Sequence, residues 1–474
     1  MSALLIAGTT SDAGKSVVTT GLCRALVRRG IRVAPYKAQN MSNNSMVVPL
    51  GSPGDGEFGE IGRAQWVQAL AARAEPEVAM NPVLLKPGGD RRSHVIRMGR
   101  PDGAVSSRDF VDGRRHLAQT AFAAFDDLRG RYDLVIAEGA GSPAEINLRA
   151  GDYVNMGLAR HGDIPTIVVG DIDRGGWFAA SYGTLALLDS DDRRLIRGFV
   201  ANKFRGDVTL LQPGLDELER RTGRPTFGVL PWHPDLWLDS EDSLDLDGRR
   251  STTDGARTVA VVRLPRISNL TDVDALGLEP DLDVRFVADA ARIAEADLVV
   301  LPGTRATLAD LAWLRERGFD RAIVEHVRSG RPVLGICGGC QMLGRTIVDP
   351  EGVEGEVGAA AEGLGLLDVD TVFGAEKTVR RSGTTGYEIH HGTVSGDGAG
   401  RDGWVAARRS RVVGTMIHGS LEDDAIRSGY LTDALGVSSA ASFAAARERR
   451  LDVLGDLVED HLDVDALLAI AGPT

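Results

Sequence analysis

The chain has 474 residues, too many for one hydrophobic core, and its length fits two large domains best. It carries 67 acidic against 54 basic side chains, a net charge of -13 at pH 7, which argues against a nucleic-acid-binding surface. Three cysteines, Cys23, Cys337 and Cys340, do not make a disulfide framework and point to a reducing, cytoplasmic setting. No apolar run approaches the roughly eighteen residues of a membrane helix, and the N-terminal stretch Ser2–Ala7 lacks the basic leader of a signal peptide.

From Ala3 to about Trp232, short apolar runs alternate with longer amphipathic ones, the pattern of a helix-covered, mostly parallel sheet. Strands are expected at Leu4–Ala7, Arg32–Tyr36, Asp133–Ala137, Thr166–Val169, Gly198–Ala201 and Thr226–Leu230. Between the first two lies Gly8-Thr-Thr-Ser-Asp-Ala-Gly14-Lys15-Ser16, followed by a helical run to about Arg29. A phosphate-binding loop needs inward backbone N–H groups, a lysine for the terminal phosphates and a hydroxyl for Mg²⁺ at a helix N-terminus. Gly8, Gly14, Lys15 and Ser16 meet those needs. Five residues separate the glycines instead of the common four, which resembles the longer loop of dethiobiotin synthetase, an ATP-dependent carboxylate-activating enzyme.

Ligands of a doubly wound sheet sit beyond the carboxyl ends of its strands. Glu138-Gly-Ala-Gly-Ser-Pro-Ala-Glu145 occupies one such end, where a carboxylate can hold Mg²⁺ opposite Ser16. Gly170-Asp-Ile-Asp-Arg-Gly-Gly176 occupies another. The amide-rich run from Pro35 to Ser45 and the Met80–Pro87 stretch read as long surface or functional loops.

Asp239 to Gly255 is rich in Asp, Ser, Gly and Arg and reads as a linker. The expected division is residues 1–238, a linker at 239–257, and a second domain at 258–474. In the second domain, strands are expected at Val259–Arg263, Val284–Val287, Asp297–Leu301 and Pro332–Leu334. Gly335-Ile-Cys337-Gly-Gly339 follows the last of these and has the form of a nucleophile elbow, with glycines where a bulky Cβ would block the turn. The following helix points its N-terminus at the sulfur, which favours thiolate. Read as Cys-x-x-Cys, the same residues suggest a redox or half-metal motif, but no second pair at ligand spacing accompanies them.

Backbone N–H groups at Gly303 and Gly338 are candidates for an oxyanion hole. His418 closes an apolar run beside a glycine and is the first candidate for the general base, with His390 and His391 behind it. The tail from Phe443 to Ile470 is helical by spacing, and its charges read as a solvated face.

Seven runs together resemble the cobyric acid synthase family almost end to end: P-Y-K-A-Q-N-M-S-N-N-S from Pro35, M-N-P-V-L-L-K-P from Met80, E-G-A-G-S-P-A-E from Glu138, N-K-F-R-G-D from Asn202, L-P-R-I-S-N from Leu264, G-I-C-G-G from Gly335 and Y-E-I-H from Tyr387. The resemblance implies an α/β chain in two parts: an N-terminal P-loop, dethiobiotin-synthetase-like doubly wound sheet and a C-terminal class I-like glutamine amidotransferase domain. It also implies ATP- and Mg²⁺-dependent amidation of the b, d, e and g carboxylates of (adenosyl)cobyrinic acid a,c-diamide through acyl phosphates, with ammonia from glutamine. The implied partners are thus small molecules, namely the corrinoid, ATP and glutamine, with no nucleic acid or membrane. Carried over residue by residue, Cys337 is the nucleophile and His418 its partner. Lys15, Ser16 and Glu138 belong to the ATP and Mg²⁺ site, Asn202 to adenine, and Lys37 to the phosphorylated intermediate.

Two positions depart from related amidotransferases. The glutamate they carry two residues after the histidine is Ser420 here, with Glu422 displaced, so what orients the imidazole stays open. Position 340 is Cys where an aromatic is expected, which makes Cys340 a candidate lining of the glutamine pocket with no assigned role. The rival readings are cobyrinic acid a,c-diamide synthase and a P-loop partitioning regulator with an inert C-terminal domain.

Overall fold

The computed structural model describes residues 2–51, 56–88, 92–106, 115–233, 256–397 and 399–472. The expected linker at 239–257 lies almost wholly outside the described residues. Runs such as Leu4-Leu5-Ile6-Ala7 and Val259-Ala260-Val261-Val262 are apolar without alternation because helices cover both faces of the sheets they enter.

The N-terminal sheet has six parallel strands in the order Thr226–Pro231, Ile196–Phe204, Thr166–Asp171, Ser2–Gly8, Leu134–Glu138, Val33–Tyr36. Every strand expected in this half is present, with ends shifted by a few residues. Strand order reverses around Ser2–Gly8, so the loop after it opens where a doubly wound sheet binds its ligand.

The C-terminal sheet has seven strands. Five run parallel, in the order Leu282–Val287, Arg257–Val262, Leu298–Leu301, Val333–Ile336, Val412–Thr415, and Val405–Arg409 and Ala399–Asp402 close the edge antiparallel. Tyr387 and its neighbours belong instead to a separate sheet, on the strand Gly386–Ser395 paired with Asp370–Ser382.

One expectation is corrected. Parts of the stretches read as loops are strands: Gln39–Met41 pairs with Val83–Pro87, and Ser45–Pro49 pairs with Phe58–Gly62, so their backbone groups find partners across strands. Met46 and Val47 of this hairpin pack on Tyr387 and Ile389, joining the two halves.

The tail is helical as expected, over Phe443–His461 and Val464–Ala471; Glu448, Asp456 and Asp465 are exposed, while its apolar side is buried. Leu451, Leu454, Val458 and Leu467 share one apolar cluster with Leu4, Ile6, Val18 and Leu22 of the N-terminal half. The helix Lys15–Arg28 lies against Phe443–His461 so closely that a Cβ on Gly21 would sit 2.5 Å from Val458 Cγ2. Buried Arg24 pairs with Asp452 at 2.8 Å and with Glu448, while Arg28 pairs with Asp452 and Asp456 at 2.7 and 2.6 Å. Leu451 to Ala471 thus pack on the N-terminal sheet, although the expected second domain runs to residue 474, while Phe443 stays in the apolar core of the C-terminal half.

Candidate active sites

The loop Gly8–Ser16 leaves the strand Ser2–Gly8 and enters the helix at Lys15. Gly14 has φ 97°, and a Cβ there would collide with Asn202 Nδ2, so both conformation and space demand glycine. Asn202, at the end of its strand, donates Nδ2 to Ala13 O at 3.0 Å and so braces the loop from below. Lys15 Nζ donates to Thr10 O and Ser11 O, both at 2.9 Å, curling over its own loop. Gly8 is hemmed in as well, since a Cβ there would lie 3.0 Å from Lys15 Nζ.

Ser16 Oγ donates to Glu138 Oε1 at 3.0 Å. Glu138 is fully buried at the end of Leu134–Glu138, and Lys37 Nζ, 2.8 Å from the same oxygen, neutralises it. Gln68 Nε2 donates to the other carboxylate oxygen at 2.5 Å. A hydroxyl and a carboxylate converging at a phosphate loop are the hard oxygen donors that Mg²⁺ takes beside nucleotide phosphates, so these residues fit that ion. Gln68 was not expected: it lies on the helix Arg63–Ala71, far from any motif. Asp171 and Asp173 of the second acidic loop pair with Lys203 and Arg205, both at 2.9 Å, on the Asn202 side of the loop.

In the other half, Val333–Ile336 turns into the helix Gly338–Leu343 through Cys337, whose φ of 52° and ψ of -109° are strained for a non-glycine residue. A Cβ on Gly339 would collide with Leu301 O, and one on Gly335 would lie 2.8 Å from Gly339 O, which is the steric reason for glycine at both positions. Gly303 and Gly338 both border the sulfur's surroundings. A Cβ on Gly303 would lie 3.0 Å from His418 Cε1, and Gly338 packs on Thr304.

His418 follows the strand Val412–Thr415 and is clamped by Tyr387, whose N–H donates to His418 O at 3.0 Å and whose carbonyl accepts from His418 N at 2.8 Å. The Tyr387 ring stacks on the imidazole with centroids 5.5 Å apart. Asp272 supplies what the sequence left open. Its Oδ2 lies 2.7 Å from His418 Nδ1, and its Oδ1 accepts from Gly419 N at 2.8 Å. Burial alone would lower the His418 pKa, but the Asp272 carboxylate and the Cys337 sulfur, which the ring also hydrogen-bonds, push it up to about 10. Glu422 turns away, bonding Arg63 at 2.6 Å and Arg447 at 2.9 Å.

Cys337 opens into a cavity of ≈50 Å³ whose walls include Thr304, Gln341, Glu354, Lys377, His390 and His391. Burial raises the Glu354 pKa to about 7, against the opposing pull of Arg305. His390 is held by Glu388 at 3.1 Å, and burial beside Lys377 lowers the His391 pKa to about 4. Asp272 bonds His418, not His390 or His391. Cys340, expected at this pocket, is fully buried in the sheet core against Gly414 instead, and burial raises its thiol pKa to about 12.

A phosphate loop in one half and a Cys–His–Asp constellation in the other define a two-site amidotransferase ligase. Two family models match, a CobQ/CobB/MinD/ParA nucleotide binding domain over residues 4–245 and a CobB/CobQ-like glutamine amidotransferase domain over residues 258–426. Proteins named cobyric acid synthase are 68% identical in Mycolicibacterium gilvum (99% of this chain, 97% of the relative) and 67% identical in Mycobacterium ulcerans (99% and 97%). In Mycobacterium tuberculosis the identity is 66%, again over 99% of this chain and 97% of the relative. The chain belongs to the cobyric acid synthase family. No helix among the described residues is long and apolar enough to cross a membrane.

Proposed function

We propose that this chain amidates the b, d, e and g carboxylates of (adenosyl)cobyrinic acid a,c-diamide, using ATP and glutamine-derived ammonia, to give cobyric acid. The observation that carries the reading is near-full-length similarity to cobyric acid synthases in a chain that keeps both sites.

In the C-terminal site the Cys337 sulfur attacks the side-chain amide carbon of glutamine. The Gly303 and Gly338 N–H groups receive the oxyanion, and the His418 imidazolium, held by Asp272, passes its proton to the departing ammonia. Water then cleaves the γ-glutamyl thioester to glutamate. In the N-terminal site a corrin carboxylate attacks the γ-phosphorus of ATP, releasing ADP, and ammonia displaces phosphate from the acyl phosphate. In this reading Lys15 and the loop N–H groups hold the phosphates, Asn202 contacts adenine, and Lys37 contacts the phosphorylated intermediate. Ser16 and Glu138 would hold Mg²⁺, which shields phosphate charge when bound. Activation is needed because a carboxylate at neutral pH is a poor acyl donor, and this accounts for two sites in one chain.

The test is mass spectrometry of the product formed from the a,c-diamide with ATP and glutamine. A gain of four amides is expected. No reaction on that substrate would point to cobyrinic acid a,c-diamide synthase, and absence of any glutamine hydrolysis to a nucleotide-dependent regulator.

A further inference from the structure

The amide-rich run Asn40–Ser45 has no part in either reaction as described, yet it reaches the other half of the molecule. Asp272 lies on a single short turn, Leu270–Val273, entered through Asn269 in the left-handed region at φ 48°. The first N–H groups of such a turn have no partner within it. One of them, Leu270 N, donates to Asn44 Oδ1 at 3.1 Å, and Ser45 N donates in return to Asn269 Oδ1 at 2.9 Å. Asn269 O in turn accepts from Asp272 N at 3.0 Å. Asn44, Ser45, Asn269 and Asp272 are all buried.

The neighbouring residues make the same crossing. Asn43 lines the Cys337 cavity and carries a buried Oδ1 that has no partner among the described residues. Lys86, also on the cavity wall, donates to Ser45 Oγ at 2.9 Å.

We propose that the Asn43–Ser45 run of the ATP-binding half is part of the glutaminase, with Asn44 a positioning residue that holds Asp272, and through it His418, in register. This rests on the reading of Cys337 and His418 as the glutaminase pair. Glutamine hydrolysis is then tied to the docked state of the two halves: when the Asn44–Leu270 and Ser45–Asn269 bonds open, the turn loses its outside acceptor and the imidazole loses its fixed carboxylate.

The experiment uses the full chain and measures glutamate release together with ATP-dependent amidation driven by ammonium chloride. Asn44→Ala is expected to lower kcat for glutamine about tenfold with little change in KM, while ammonium-driven amidation stays at the wild-type rate. Asn269→Gly keeps the left-handed backbone, removes the acceptor and should behave alike, which covers a failure of Asn44→Ala to fold. Combined with Asp272→Asn, Asn44→Ala should add less than about twofold. Unchanged kcat in both single variants, or losses that multiply in the double variant, overturns the proposal. Wild-type glutamine hydrolysis in Cys337→Ala would instead overturn the reading beneath it.

Discussion

Asp272 and His418 are 146 residues apart in the chain and 2.7 Å apart in the fold, and the bond between them sets the imidazole's charge. Asp272→Asn keeps the shape but removes the charge that, with the Cys337 sulfur, holds the ring protonated up to about pH 10. Glutamine turnover should fall by about 10²–10⁴. The alkaline limb of its pH profile should move down towards neutral, because the ring then loses its proton earlier. A pH–rate profile with the wild-type alkaline limb would show that Asp272 does not tune the ring.

Separate sites predict a split by nitrogen source. Cys337→Ala should abolish glutamine-driven amidation and retain amidation with ammonium salts, whereas Lys15→Ala should stop both. Product analysis of the two variants with each nitrogen source checks this, and normal turnover in Lys15→Ala would remove the ATP site from the loop.

Glu422 stands near the position where related amidotransferases keep their glutamate, but its partners are Arg63 and Arg447. Both guanidinium groups also lie 4.9 Å from the ring centroid of Trp66 between them. Glu422→Ala leaves buried Arg63 without its carboxylate and should cost about 3–5 kcal/mol. A lowered melting temperature with glutaminase kcat within a few-fold of wild type is the expected pair of results. Loss of kcat with full stability would return Glu422 to the chemistry.

His326 makes an acid-sensitive point in the C-terminal half. Burial, with Arg331 adding to it, lowers its pKa to about 4, and Nε2 donates to Pro332 O at 3.1 Å. The folded state refuses a proton that the unfolded chain accepts below about pH 6.5. Its contribution is therefore complete above that pH and is lost as pH falls towards 4, on the order of 3 kcal/mol. Urea midpoints at pH 7 and 4.5 should converge for His326→Gln relative to wild type.

The strands and the strand–turn–helix at Cys337 are legible because local rules carry them: apolar runs mark buried strands, and glycines mark turns that admit no Cβ. Asp272 is not legible, since an acidic residue in L-T-D-V looks solvated until a distant histidine meets it. Nor is Gln68, which sits within the pattern of an ordinary amphipathic helix. The tail's docking partner is hidden for the same reason. Helical spacing tells that Glu448 and Asp452 share a face, but not that Arg24 waits opposite. Cys340 misleads by analogy, because a side chain two residues beyond Gly338 points into the sheet core.

The packing of Val458 on Gly21 has a temporal consequence. A ribosome releases the P-loop sheet early, but the residues that cover one face of it, Leu451 to Leu467, emerge only after the whole glutaminase sheet has been made. The first half must wait with an apolar face exposed until Leu451 to Leu467 seal it. Cutting the gene after residue 238 would thus yield a nucleotide-binding fragment that lacks its own last two helices, and supplying 443–471 in trans is the natural way to rescue it.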